Sequence, residues 1–327
     1  MINVTNKLKL SLIVLTTMLL TGCNVEKQKI VTLADAENML FTDNGRMLAT
    51  GGEGIYEITK NNNIYSKTAL YPEDQCQFTG MAQYDDWVFT VCSKGLFKAT
   101  ILAAKVVDEQ PIYFEKLADL DGFVLANGIA FSPQGELLIA NYNVLGWPKM
   151  GVAKLPINHQ VLTNSIEGQL NGNAILGDLQ HNWLAGNPNG IRVAGNTLFT
   201  SEGGSVYKHS MNEQGVVSNR TRLSHHTTIT DDIAPLCGGA IVTNFVTGSI
   251  YYVDANGYED KNYRTNKLTF VGPSSVIIPQ GNLFSANQLL VTEKGVLGDT
   301  ISPIGNQISV INLPFNVQEL ADSCDTQ

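Results

Sequence analysis

Short apolar runs, rich in Val, Ile, Leu, Phe and Tyr, recur along the chain and are separated by turns rich in Gly, Asn and Asp. Within residues 37–59 this pattern predicts three strands, with turns at residues 43–45 and 51–52. Few segments show the 3.6-residue period of a helix. The pattern is typical of antiparallel β-sheet with tight connections.

The same arrangement of runs and turns returns in five further repeats, which cover residues 78–100, 126–157, 188–211, 231–254 and 273–296. Repeats of about 40–50 residues with several strands each indicate the blades of a β-propeller. We therefore predict an all-β, six-bladed β-propeller over residues 34–315, followed by a C-terminal tail at 316–327. A pair of β-sandwiches is the competing architecture.

The third repeat is followed by an insertion, residues 158–187, that is rich in Asn, Gly, Leu and His. Long insertions between strands commonly lie on the surface and often carry function. We expect this insertion to form a cap over one face of the propeller.

The first strand of each repeat begins with a related triplet, in which a variable first residue precedes a small or polar residue and then an apolar one. The innermost strands of a propeller line its central channel, so equivalent positions should form a ring around the axis. The first positions of the six triplets are Glu37, Thr79, Asn127, Asn189, Asp231 and Ser274. This predicted ring is polar and contains no basic side chain.

Two carboxylates in one narrow channel, here Glu37 and Asp231, would repel each other unless they are protonated or neutralised. A hard divalent cation would neutralise them, and carboxylate and amide oxygens are the ligands that Ca²⁺ prefers. Two alternatives stay open. The Asn-Gly pairs at 127–128 and 189–190 are also common turn dipeptides, and residues 231–232 could begin a surface strand.

Four motifs carry a resemblance to a known superfamily: residues 37–46, the segment 126–133 (Ala-Asn-Gly-Ile-Ala-Phe-Ser-Pro), residues 189–191 and residues 231–233. They resemble the six-bladed, calcium-dependent propellers that include senescence marker protein 30, the gluconolactonases, paraoxonase-type lactonases and strictosidine synthase-like proteins. The resemblance extends over residues 30–315, through short motifs.

The resemblance implies a set of metal ligands, which are Glu37, Asn127, Asn189 and Asp231. It further implies that Asn38 and Asp232, the next residues in the first and fifth blades, belong to the site or support it. Asp231 is implied to act in catalysis, as both ligand and proton acceptor.

Two positions depart from the patterns of the superfamily. Thr79 stands where paraoxonase-like lactonases carry a histidine, and Leu125 stands where the sugar-lactone enzymes carry an arginine that contacts a hydroxylated substrate. Sugar acids are therefore disfavoured as substrates.

Histidines are the other candidate bases. His225 and His226 precede the fifth blade, and His181 lies in the insertion, so each is a candidate for the mouth of the pocket. The alternative is that all three are solvated surface residues. The chain has no Gly-x-Ser-x-Gly nucleophile motif and no phosphate-binding glycine motif at a strand–helix junction.

Two functions of different classes are compatible with these residues. The first is a metal-dependent hydrolase, using Ca²⁺, that acts on a lactone or a related ester. The second is a non-catalytic propeller of the cell envelope that binds a protein or a small ligand, with the metal in a structural role. A condensing enzyme of the strictosidine synthase type is the third interpretation.

The N-terminus predicts export and lipidation. Lys7 and Lys9 precede an apolar run at residues 10–20, which is shorter than the roughly 20 residues that cross a bilayer. The run ends in Leu-Thr-Gly-Cys, which resembles the bacterial lipobox, so we expect a signal peptide at 1–22 and a lipid on Cys23. Residues 23–33 would then be a tether. Asn24 favours the outer membrane in a Gram-negative cell, and an ordinary signal peptide is the alternative.

The charge of the chain excludes some partners. Loss of residues 1–22 would take the formal net charge from −9 to about −11, because the segment carries two lysines and no acid. A strongly acidic chain does not bind nucleic acid through basic patches. Membrane attachment would therefore depend on the lipid.

Export would place the cysteines in an oxidising compartment, where disulfides persist. Cys76 and Cys92 flank one strand turn and could form a pair, with free buried thiols as the alternative. None of the cysteines has metal-binding spacing.

Overall fold

A computed structural model describes residues 26–52, 54–72 and 76–325. Within them, 24 strands form six four-stranded antiparallel sheets, and the predicted six-bladed β-propeller is confirmed. The expected signal peptide 1–22 and the lipidated Cys23 lie outside the described residues. No helix in the described part of the chain is long and apolar enough to cross a membrane.

Each of the first five blades is built from four strands consecutive in the chain. Blade one comprises β2 Asn38–Phe41, β3 Met47–Gly51, β4 Gly54–Asn61 and β5 Ile64–Pro72. Blade two comprises β6 Gln77–Tyr84, β7 Trp87–Ser93, β8 Lys98–Lys105 and β9 Glu115–Asp121. Blade three comprises β10 Ala126–Phe131, β11 Leu137–Asn141, β12 Val152–Leu155 and β13 Gln180–Leu184. Blade four comprises β14 Ile191–Ala194, β15 Thr197–Glu202, β16 Ser205–Met211 and β17 Val217–His225. Blade five comprises β18 Thr230–Leu236, β19 Gly239–Asn244, β20 Ser249–Val253 and β21 Glu259–Arg264.

The sixth blade closes the ring of blades with a strand from the N-terminus. It comprises β22 Pro273–Ile277, β23 Gln288–Glu293, β24 Gln307–Asn312 and, outermost, β1 Lys27–Thr32. The register pairs Lys27 with Ile311 and Thr32 with Gln307. Much of the expected tether 23–33 is therefore a strand, and the propeller begins at residue 27 rather than 34.

The hydrophobic core lies between neighbouring blades. The third residue of each triplet is fully or almost fully buried, and each one belongs to a different apolar cluster. These residues are Met39, Met81, Ile129, Ile191, Ile233 and Val276. Burial of apolar side chains between adjacent sheets therefore fixes every innermost strand at the same depth along the axis.

The insertion 158–187 leaves blade three at the end of the propeller away from the triplets, so its helices do not cover the predicted ring. It connects β12 to β13 and forms two short helices, α1 His159–Thr163 and α2 Gly172–Ile175. Leu162 and Ile175 are buried in the cluster between blades two and three. His159 bonds the carbonyl of Gly135, in the turn after β10, at 2.8 Å. The two helices therefore pack at the end of the propeller away from the triplets.

The C-terminal segment, expected as a tail, forms helix α3 Val317–Asp325. A disulfide joins Cys324 in this helix to Cys237 in the turn between β18 and β19, with Cα atoms 5.1 Å apart. A second disulfide joins Cys76 and Cys92, with Cα atoms 5.5 Å apart. Cross-links of this kind stabilise a fold chiefly by constraining its unfolded state.

Candidate site in the central channel

The triplets sit at irregularities of the innermost strands. Pairing between the first two strands shifts register between Phe78 and Met81 in blade two and between Ala126 and Ile129 in blade three. Blades five and six show the same shift at the triplet. A bulge breaks the alternation of side chains, so the first two triplet residues can both face the channel.

Hydroxyl groups on the second strands satisfy the backbone at these irregularities. Thr243, for example, accepts a hydrogen bond from the Asp232 amide at 2.9 Å and donates one to its carbonyl at 3.1 Å. Equivalent hydroxyls in four other blades bond the middle triplet residue; they belong to Thr50, Thr90, Ser201 and Thr292. Blade three has Ala140 in this place. Buried backbone groups need such partners, so the hydroxyls stabilise the triplet conformation.

Glycine occupies the middle triplet position in blades two to four because neighbouring inner strands approach closely there. A Cβ atom at Gly80 would lie 2.5 Å from the Ile129 nitrogen, and one at Gly128 would lie 2.6 Å from the Ile191 nitrogen. The close approach allows the Gly128 amide to donate to the Asn189 carbonyl at 3.0 Å. The first triplet residues of blades three and four are thereby brought together.

Three of the four expected metal ligands form a chain of side-chain contacts. The amide of Asn127 donates to Oδ1 of Asn189, and the amide of Asn189 donates to Oδ1 of Asp231 at 2.5 Å. Asn189 and Asp231 are buried. The predicted ring is therefore contiguous from blade three to blade five.

The fourth expected ligand, Glu37, is paired with a lysine that sequence reasoning missed. The ammonium of Lys294, just after β23, donates to Oε2 of Glu37 and lies 3.5 Å from Oδ1 of Asp35. Burial lowers the pKa of Lys294, but the Glu37 and Asp35 carboxylates outweigh it and raise that pKa. The lysine stays charged, and the ring region contains a base after all.

The ring contains two hydroxyl groups, and both donate hydrogen bonds to backbone carbonyls. They belong to Thr79 and Ser274. Thr79 donates toward Ala126 and Asn127, each at 3.1 Å, and Ser274 donates to Ala36 at 2.6 Å. Their role in the structure is to join neighbouring blades.

Asn38 and Asp232 form a second polar layer below the ring. Oδ2 of Asp232 accepts from Ser275 at 2.6 Å, from Asn38 at 3.2 Å and from the Arg192 guanidinium at 2.5 Å. Oδ1 of Asp232 is buried without a hydrogen-bond partner among the described residues, and a Cβ atom at Gly190 would lie 2.7 Å from it. Asp232 is thus fixed by hydrogen bonds to neighbouring side chains, and it lies directly below the ring.

Asp231 is the carboxylate of this region that forms no ion pair among the described residues, and the charge of Lys294 acts on it only at longer range. Glu37 is paired with Lys294, and Asp232 is paired with Arg192. Burial, together with the charge of Glu37, raises the pKa of Asp231 well above its ordinary value. An added cation would therefore stabilise the ionised form of Asp231.

The donor set fits Ca²⁺ in its chemistry. As metal ligands, Glu37, Asn127, Asn189 and Asp231 can supply carboxylate and amide oxygens, which Ca²⁺ prefers more than transition metals do. In the described part of the chain, no group of three or more His, Cys, Asp or Glu is arranged to hold a metal ion. The expected site differs from such a cluster because two of its ligands are asparagines. Lys294 would compete with a metal for Glu37.

The three candidate histidines are not brought to the ring. His181 is exposed on β13, the outermost strand of blade three, and its ring lies 5.5 Å from that of Phe123. His225 pairs with the Ser205 hydroxyl at 2.8 Å, and His226 pairs with Glu259 at 2.7 Å. All three belong to outer strands or to the link that follows one.

Tyr142 is a further residue that sequence reasoning missed. It lies in the loop after β11, at the ring end of blade three, and is half-buried. Burial and the charge of Asp231 raise its pKa. The phenol, which lies near Asp231, therefore stays protonated. Nothing in the repeat pattern marks Tyr142 or Lys294. Arg192, in contrast, follows a triplet directly, and a comparison of the repeats at the position after the triplet would have identified it.

Several solved structures share this fold. A luciferin-regenerating enzyme is 12% identical, with 90% of this chain and 99% of that one covered at a TM-score of 0.61. A structure described as a gluconolactonase is 13% identical, with coverage of 89% and 93% and a TM-score of 0.57. The chain shares the propeller fold of these two proteins. The resemblance read from the triplets is thus confirmed for the fold.

A PQQ-bound aldose sugar dehydrogenase from Streptomyces coelicolor also shares the fold, at 13% identity, a TM-score of 0.57 and coverage of 88% of this chain and 98% of that one. No protein-family model and no curated protein sequence matches the chain. Sequence identities this low establish a similarity of fold alone, because one fold supports many functions.

Proposed function

We propose that the channel ring binds Ca²⁺ through Glu37, Asn127, Asn189 and Asp231, and that the protein hydrolyses a lactone or a related ester there. The observation that carries this proposal is the chain of contacts from Asn127 through Asn189 to Asp231. It ends on a buried carboxylate that forms no ion pair among the described residues. A bound Ca²⁺ would supply a positive charge that polarises the carbonyl oxygen of the ester.

Asp231 is the candidate proton acceptor. The amide of Asn189 fixes the orientation of its carboxylate. Bound Ca²⁺ would favour the ionised form of this carboxylate, which is the form that accepts a proton. In this role the carboxylate would take a proton from the attacking water.

Tyr142 is the candidate hydrogen-bond donor to the reacting oxygen. Its phenol keeps its proton because burial and Asp231 both raise its pKa. A neutral donor placed beside the site can stabilise the oxyanion of a tetrahedral intermediate or protonate a departing alkoxide.

The surroundings of the ring favour an apolar substrate. Leu125 stands half-buried two residues before Asn127, in place of an arginine that would bind hydroxyl groups. Loops at the same end of the propeller expose Leu145 and Trp147, whose exposed fractions are 84% and 77%. Exposed apolar side chains of this size commonly mark a binding surface.

The test is hydrolysis of a panel of lactones and aryl esters by the calcium-loaded protein. Asp231→Asn should lower the turnover of any substrate by at least about a hundredfold, and Tyr142→Phe by about tenfold or more. Asp85→Asn, which changes an exposed carboxylate in the turn after β6, is the matched control and should leave turnover unchanged. Activity that survives both chelation and Asp231→Asn would contradict the proposal.

The binding function is the second candidate, and the exposed loops around Leu145 and Trp147 favour it as well. No turnover on the panel, together with stable capture of one envelope partner, would replace hydrolysis by binding. Loss of that capture on Trp147→Ser would locate the contact on these loops.

We also propose that a lipid on Cys23 anchors the protein in the cell envelope, in the outer membrane of a Gram-negative cell. Lys27 begins β1 at the end of the propeller opposite the ring. Four extended residues span at most about 14 Å, so the ring would open away from the anchoring membrane. Incorporation of labelled palmitate that is lost in Cys23→Ser would support the anchor, and unchanged incorporation would exclude it.

A further inference from the structure

The inner strands continue beyond the triplets into a second, mostly apolar part of the channel. The fourth positions of the repeats are Leu40, Ala82, Ala130, Arg192, Ala234 and Ile277. Five of the six, all but Ala234, line one hollow that the inner strands of several blades surround. Ala82 and Ala130 have small side chains, which leave space there.

This hollow is a cavity of about 300 Å³ at the end of the channel away from the ring. Its walls are largely apolar and include Met39, Phe41 and Phe131. Gln280, in the turn region that follows β22, lies at its mouth and is exposed. The volume is at the lower end of the range for small-molecule sites, which are usually apolar with a few placed polar groups.

Arg192 is the one ionisable residue among those that line the cavity in the described part of the chain. Its NH2 group donates to Asp232 at 2.5 Å and to Asn38 at 3.2 Å, and its NH1 group donates to the Ile191 carbonyl at 3.3 Å. A guanidinium has five N–H donors, so these bonds leave two for a ligand. The cavity therefore combines apolar walls with a fixed cationic donor at its inner end.

The combined charge of Arg192 and Asp232 determines which kind of anion the cavity can bind. Asp232 already balances Arg192, so each further negative charge enters the apolar cavity at a cost, and a dianion such as a phosphate is disfavoured more strongly than a monoanion. A single carboxylate can share the guanidinium with Asp232 through the remaining donors, and its hydrocarbon part can replace water against the walls. The chemistry thus favours a monoanionic acid with an apolar body.

We propose that this end of the channel binds a small apolar carboxylate, such as a medium-chain fatty acid, with the acid group on Arg192 and the hydrocarbon against Met39, Phe41 and Phe131. The site is separate from the ring and does not depend on the hydrolysis proposed there. The N-terminal strand begins at this same end, at Lys27, so the cavity would open toward the membrane if Cys23 carries a lipid.

The test is calorimetric titration of the purified protein with octanoate, and with octan-1-ol as the uncharged probe. We expect saturable binding of one octanoate per chain, at least about tenfold tighter than octan-1-ol, because a charge-assisted hydrogen bond is lost with the alcohol. Arg192→Met should weaken octanoate binding by a similar factor. Arg222→Met, which changes an exposed arginine on β17, should leave it unchanged.

Arg192→Met leaves Asp232 without its cation and can prevent folding, so a second variant is needed. Ala130→Leu fills the hollow without touching the ion pair and should abolish binding of both probes. The proposal is overturned if octanoate does not bind, if octan-1-ol binds as tightly as octanoate, or if Ala130→Leu leaves octanoate binding unchanged.

Discussion

The ammonium of Lys294 donates a hydrogen bond to the carboxylate of Glu37, one of the four residues that the repeat pattern predicts as metal ligands. The two residues are 257 positions apart in the chain and meet only because blade six closes against blade one. The lysine therefore occupies one side of the predicted calcium site and neutralises one of its carboxylates. Metal binding at the ring must displace or share this contact.

Removal of this resident cation should strengthen metal binding. Lys294→Met leaves Glu37 with an uncompensated buried charge, which Ca²⁺ would then neutralise, so we expect the calcium affinity to rise by at least about tenfold. Calorimetric titration after chelation measures it. Lys98→Met, at an exposed lysine that begins β8, should bind as the unaltered protein does. An affinity that is equal or weaker in Lys294→Met would show that the lysine does not compete.

Asn189 links two members of the ring, so its loss should affect both binding and stability. Asn189→Leu removes the amide that donates to Asp231 and the oxygen that accepts from Asn127. We expect loss of calcium binding and a fall of about 1–3 kcal/mol in the free energy of unfolding, measured by urea denaturation. Asn266→Leu, at an exposed position after β21, is the control. Full calcium affinity in Asn189→Leu would remove this residue from the site.

The hydroxyl of Thr243 should be needed for the conformation of the triplet in blade five. Thr243→Val keeps the shape of the side chain but leaves the Asp232 amide without its acceptor. We expect a loss of about 1–3 kcal/mol of unfolding free energy. Thr68→Val, on the exposed outer strand of blade one, should change it by less than about 0.5 kcal/mol. Equal stability of the two variants would contradict a role for this hydroxyl.

His209 should make the fold sensitive to acid. The side chain is fully buried, and burial, aided by the charge of Arg220, lowers its pKa from 6.5 to about 4. A base whose pKa is lower in the folded state stabilises the fold above its unfolded pKa, and that contribution is lost as the pH falls toward the folded pKa.

Between pH 6.5 and about 4 the protein should therefore lose on the order of 3 kcal/mol of stability through His209. His209→Leu removes the titrating group and should flatten the dependence of unfolding free energy on pH in this window. His225→Leu, at an exposed position of β17, is the control. An equally steep dependence in His209→Leu would assign the acid sensitivity to other groups.

Repeat stacking predicted the contiguous part of the ring because each blade is a local unit of sequence. Asn127, Asn189 and Asp231 occupy the same position in successive blades, so the fold brings them together by the same rotation. The pattern could not predict the strand Lys27–Thr32, because it pairs with residues almost 300 positions away and its identity depends on closure of the propeller.

Other features were missed because they depend on the reach of single side chains. Lys294 enters the ring from the end of a second strand, and no repeated residue type marks that position. The face on which the insertion lies could not be predicted, since its sequence does not show which end of the blade it leaves. That end follows from the register of β12 and β13, which the structure supplies.

Calcium titration of the chelated protein, by calorimetry, tests the central claim most directly. We expect one calcium ion to bind per chain, with binding abolished in both Glu37→Gln and Asp231→Asn and retained in the exposed control Asp85→Asn. Absence of calcium binding in the unaltered protein, or an unchanged affinity in both ring variants, would contradict it.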